Sequence, residues 1–131
     1  MALSRDDNRQ AGSLAEAELN GMSRRAAETE LLTVHHGELS GLIAQHWGLP
    51  HRIVAGVSYH HTPLESTDPV AYVTYLACHI SALLTGNSEG EEGDFVADSL
   101  DALGLDRGHG LDELSDLTAR RYAVLEACYH F

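Results

Sequence analysis

Apolar residues recur along most of this chain at intervals of three and four, and no stretch alternates with the period of two expected of a half-buried strand. The first helix is predicted from near Leu14 to Asn20-Gly21, because Ser13 and Glu16 have the spacing of a capping box. A second starts after Ser23, carries Ala26, Ala27, Glu30, Leu31 and Leu32, and runs towards His35. In the third, Leu39, Leu42, Ile43 and Trp47 form an apolar stripe that Gly48 stops. Pro50 suits the first turn of the fourth, which is expected to bury Ile53, Val54 and Val57 and to end before Pro63. Asp68-Pro69 opens the fifth, whose stripe is Val70, Val73, Leu76, Ala77, Ile80 and Leu84, closed by Gly86. A short helix from about Phe95 to Leu103 ends at Gly104, and a last one begins near Leu111 and carries Leu114, Leu117, Val124, Leu125 and Cys128. The pattern describes an all-α bundle of about five to seven helices. Residues 1–12, polar and uncapped, are expected to form a flexible arm before a single domain over 13–131.

Charge narrows the possible partners. Twenty acidic residues face eight basic ones, all arginine and scattered, for a net charge of -12 with the histidines neutral. Such a field repels phosphate backbones and anionic lipid, so neither a nucleic acid nor a membrane is an expected partner. The N-terminus has no apolar signal-peptide stretch and no apolar run approaches the length of a membrane span, which places the chain in the cytoplasm. Cys78 and Cys128 lie in apolar helical contexts and read as buried free thiols. Asn87 to Asp94 is an acidic loop without the alternating ligands of a calcium loop, and reads as solvated.

The candidate chemistry lies in two histidine pairs, His35-His36 and His60-His61. His36 and Trp47 are eleven positions apart, as are Pro50 and His61, so a hairpin of equal arms brings both pairs to one end. Neighbouring helical residues point about 100° apart, so one member of a pair faces a common centre unless the helix ends there. His60 and His61 precede Thr62-Pro63, where the backbone is expected to turn, and both can converge. His36 is in register with Leu39 and Ile43, which leaves His35 peripheral. Neutral imidazole is a common metal ligand, whereas His46, His51, His109 and His130 read singly as exposed or hydrogen-bonded side chains.

The stretch from His36 through Gly37, Glu38, Leu39, Gly41, Leu42, Trp47, Leu49 and Pro50 to His60-His61-Thr62-Pro63 resembles the HDOD domain. That family is related to the HD and HD-GYP metal-dependent phosphohydrolases. Glu30 falls where the family carries a preceding Glu, Trp47 and Pro50 where it has its helix junction, and the resemblance spans Ala26 to Leu84. It implies an HD-domain-like bundle, here expected to be a truncated version holding the C-terminal part of the domain. It also implies that His36, His60 and His61 correspond to metal-binding positions of active relatives. The defining His-Asp dipeptide occurs nowhere in the chain, and Cys78-His79 stands where a later Asp would complete the metal shell.

The resemblance therefore implies a vestigial site without a cofactor, or a softer one in which the three imidazoles, with Cys78 or His79, hold zinc or nickel. The expected function is a non-catalytic module of bacterial signal transduction acting through protein or small-ligand contacts, as a homodimer or with a signalling partner. The alternative is a metal-dependent phosphohydrolase of nucleotides or cyclic dinucleotides, drawing carboxylates from Glu30, Glu38, Glu65 or Asp68.

Overall fold

The computed structural model describes residues 12–13, 15–17, 20–86 and 94–129, and among them it is helical with no strand. The expected arm over 1–12 and the acidic loop lie almost wholly outside the described residues. Helix α1 spans Arg24–Leu32, and Ser23 caps it by accepting from the Ala26 N–H at 3.2 Å. Helix α2 spans His36–His46, α3 His51–Tyr59, and a 3-10 turn Pro63–Glu65 leads to α4 at Pro69–Thr85. Helices α5, Val96–Ala102, and α6, Gly110–Tyr129, complete the order. Helix α2 packs on α3, α3 on α4, and α4 on both α5 and α6.

The boundaries follow local chemistry. Gly48, at φ +71, takes the left-handed conformation that ends α2. Pro50 stands one residue outside α3, at its N-cap, and the first helical residue is His51. Asp68 accepts from the Val70 N–H at 3.0 Å, with Pro69 at the first position of α4, an arrangement in which neither the cap nor the missing proline N–H costs the helix a bond.

Packing departs from the predicted stripes in α2. The face turned to α3 consists of Gly37, Gly41 and Ala44, while Leu39, Leu42, Ile43 and Trp47 are exposed, Trp47 by 73%. The cause is the close approach of the two helices. A Cβ on Gly41 would lie 1.9 Å from Ser58 Oγ and 3.3 Å from its Cα, so only a residue without a side chain fits there. Gly56 does the same on the other side of α3, where a Cβ would meet Thr74 Oγ1 and Val70 Cγ1 at 2.9 Å. Helix α3 is thus held between two neighbours through small residues, Ala55 and Gly56 are buried, and Ile53 is left exposed.

The larger side chains gather at the other end. Tyr75, Leu76 and Leu100 are buried together, with Phe95, Val96, Leu103, Leu111 and Leu114 against them. The Tyr75 hydroxyl accepts from the Phe95 N–H at 3.1 Å, which ties the start of α5 to α4. Of the stripe predicted for α4, Leu76 and Ile80 are buried, whereas Val73, Ala77 and Leu84 face outward and Ala71 and Tyr75 take their place. Helix α6 buries its first turns only, and Leu117, Val124 and Leu125 are exposed. Both cysteines are exposed, contrary to the expectation of buried thiols, because Cys78 lies off the buried face of α4 and Cys128 on the uncovered end of α6. No described helix is long and apolar enough to cross a membrane.

Gly41→Ala is expected to destabilise the protein by about 1–3 kcal/mol in urea unfolding, since the added methyl forces α2 and α3 apart. Adding Ser58→Gly removes the opposing Oγ and Cβ and should recover part of that loss.

Candidate metal-ligating histidine site

Three imidazoles meet where the open end of the α2–α3 hairpin reaches α1. His36 is the first residue of α2, and α3 ends at Tyr59, so His60 and His61 lie on the turn and both rings enter the site. His61 Nε2 is 2.9 Å from His36 Nε2, and His36 Nε2 is 3.3 Å from His60 Nε2. The ligand nitrogens of the three residues lie within 4.8 Å of one another, and this is the only such grouping of His, Cys, Asp or Glu among the described residues.

The outer edges of two rings are held. Glu28 accepts from the His36 ring Nδ1 at 2.7 Å and from the His36 backbone N–H at 2.8 Å, both through Oε2. Its other oxygen accepts from Arg24 Nε at 3.2 Å. The Val57 carbonyl accepts from His60 Nδ1 at 2.7 Å, so the last turn of α3 sets the plane of that ring. Glu28 is 5% exposed. Burial works to raise its pKa, but the bonds from the His36 backbone and ring and from Arg24 together outweigh it and hold the carboxyl below its usual range. For His61, burial, then the charges of His60, His36, His35 and Arg25 when protonated, push the pKa from 6.5 down to about 3.

Glu30, matched to the family's glutamate by sequence, is exposed on α1, and Glu28 is the carboxylate that reaches His36. The signal that would have found it is the helical register itself, since Glu28 follows the buried Ala27 on the inward side of α1. His35 caps α2, its Nδ1 accepting from the Gly37 N–H at 3.2 Å, and its ring stands 5.9 Å from that of His61. Cys78 and His79 are not in the grouping; they lie in the second half of α4, where the His79 ring stacks on Tyr75. Trp47 and Pro50 are at the far, closed end of the hairpin and organise it without touching the triad. Glu38 stands 3.8 Å from His35 Nε2, and Asp68 caps α4 beside Arg52. Beside the triad runs an open groove of about 750 Å³, lined by His35, Glu38, Ser58, Tyr59, Thr62 and Glu65.

The depressed pKa of His61 has a definite sign. Below about pH 6.5 the unfolded chain takes up a proton that the folded one refuses until about pH 3, so the contribution to stability is complete above 6.5 and is lost as pH falls. In metal-free buffer, urea unfolding should show stability falling from pH 6.5 towards 4.5, by at most about 1.4 kcal/mol per pH unit from this group. His61→Gln should flatten that difference relative to the parent protein. An unchanged slope would mean that burial and the charges of His60, His36, His35 and Arg25 do not hold His61 neutral.

Residues 2–63 match the family model of the HDOD domain. The match starts upstream of Ala26 and stops at Pro63, before α4. Comparison with curated proteins and with solved structures gave no match. The matched segment, which supplies Glu28 and all three imidazoles, is similar to the HDOD domain over its whole length.

Proposed function

We propose that this chain is a non-catalytic regulatory module of signal transduction, working in the cytoplasm by binding a protein or a small ligand rather than by hydrolysis. The observation that carries this reading is the orientation of Glu28. Its carboxylate is turned to the outer nitrogen of His36, so the inner ligand set consists of three imidazoles. Metal-dependent phosphohydrolysis of the HD kind needs carboxylates that hold hard cations, and hard cations favour oxygen donors.

Surface chemistry supports a binding role. Leu39, Leu42, Ile43 and Trp47 form an exposed apolar strip along α2, and such contiguous patches are unusual on isolated monomers. A second copy of the chain is the partner we assign to it, in a homodimer built on the outer face of α2. The groove beside the triad, with hydroxyl, imidazole and carboxylate groups on its walls, is the place for a small polar ligand.

Two measurements test this. Purified protein incubated with nucleotides and with cyclic dinucleotides, in magnesium, manganese or zinc, should release no product above background. Metal-dependent turnover that His60→Ala abolishes would overturn the reading. In sedimentation velocity at high micromolar concentration the chain should run as a dimer, and Ile43→Asp combined with Trp47→Asp should shift it to monomer. A parent protein that is monomeric under those conditions removes the self-association.

A further inference from the structure

The C-terminal half of α6 stands clear of the core. Every residue from Asp116 to Tyr129 is exposed, although Leu111 and Leu114, on the first turns of the same helix, pack against Tyr75, Leu76 and Leu100. The apolar face does not stop where the packing stops. Leu114, Leu117, Arg121, Leu125 and Cys128 succeed one another at intervals of three or four and share one face, within about 80° of helical rotation. Arg121 is at its centre. The residues three and four places to either side of it are Leu117, Thr118, Val124 and Leu125, so no carboxylate of its own helix is its neighbour. Arg24, Arg52 and Arg107 each meet a carboxylate of the chain, whereas Arg121 makes no ion pair among the described residues. An apolar stripe with a guanidinium at its centre is complementary to an apolar surface that carries a carboxylate. A second α6 does not offer one: Asp112, Asp116 and Glu126 lie on its other faces, and Glu113 lies beside the turns already packed on the core.

The groove between α2 and α3 does offer one. Gly41 and Ala55 are buried in its floor with Val54 half-buried beside them, Leu42 stands along one wall, and Glu38 and Glu65 are exposed carboxylates of its lining. Glu65 makes no ion pair among the described residues, and no arginine lines the groove. Along α2 the groove runs from Glu38 to Gln45, about 10 Å by helical rise, which takes two turns of a docked helix. We infer that the C-terminal half of α6 from a second copy of the chain lies in this groove, with Arg121 against Glu65 and Glu38 and a leucine against Leu42. The register agrees. Leu42 is one turn from Glu38, and Leu117 and Leu125 are each one turn from Arg121, so a leucine meets Leu42 whichever way the helix runs. Exchange of α6 in both directions makes the contact twice and closes the pair, leaving neither surface for a third copy. The inference rests on the self-association assigned above and names what docks: Leu42 belongs both to the groove and to the exposed strip of α2, so the helix extends that interface. A small polar ligand and the partner's helix then compete for one groove, and occupancy by the ligand opens the dimer.

The test is sedimentation velocity of the full chain over a concentration series. Arg121→Glu, which sets like charges against each other, should weaken the dimer roughly 100-fold, and Glu65→Arg should weaken it similarly. The two substitutions together restore the pair with its charges exchanged and should recover most of that loss, a rescue that misfolding of either variant cannot produce. Leu125→Asp should also dissociate the dimer, and Ala123→Gln, on the opposite face of α6, should leave it unchanged. All of these positions are exposed, and far-ultraviolet circular dichroism confirms that each variant keeps its helix content. A parent dimer indifferent to Arg121→Glu and Leu125→Asp, but split by Ile43→Asp with Trp47→Asp, overturns this docking and leaves the self-association standing. Weakening by Arg121→Glu that Glu65→Arg does not relieve also overturns it. A parent that stays monomeric overturns both.

Discussion

The close approach of α2 and α3 at Gly41 and Ser58 governs the rest of this molecule. With no Cβ at residue 41, the middle of α2 comes up against the last turn of α3, and the separation set there is carried to the open end where the histidines are. Gly37, one turn earlier, keeps the same face clear; a Cβ there would stand 3.3 Å from the His60 ring. A wider hairpin would leave the imidazoles out of each other's reach. The site is a consequence of small-residue packing within about a turn and a half of its donors.

That packing also explains the surface. When two helices meet through glycine, alanine and serine, the bulky apolar residues of the same helices have no room between them and are left on the outer faces. Leu39, Leu42, Ile43, Trp47 and Ile53 are exposed for this reason. The bulky core is built elsewhere, around Tyr75, Leu76 and Leu100, where aromatic and branched side chains from α4, α5 and α6 interlock. The fold therefore has a tight end of small residues beside the histidine site and a conventional apolar core beyond α4.

Glu28 links the two kinds of constraint. It is a buried carboxylate, which is costly unless its oxygens find donors, and it finds three, from Arg24, the His36 ring and the His36 backbone. These bonds hold α1 against the start of α2 and orient the imidazole that bridges the other two. Removing the His36 ring would leave that carboxylate without one of its strongest donors, so the residue serves packing and site geometry together.

The sequence by itself determined the elements, because helix ends depend on neighbours in the chain: Ser23, Gly48, Asp68-Pro69 and Gly86 act within one turn. It also determined that His60 and His61 lie on a turn, since Pro63 follows, and that equal arms return them to His36. Which face of each helix is buried was decided only by tertiary structure. Periodicity marks apolar residues as candidates for burial, but it cannot register that Gly41 and Ser58 nearly touch, and that contact turns the larger residues outward. The same holds for the carboxylate. Glu28 and Glu30 are two residues apart on one helix, equally acidic in the sequence, and the direction in which α1 docks decides that Glu28 meets the imidazole and Glu30 meets water.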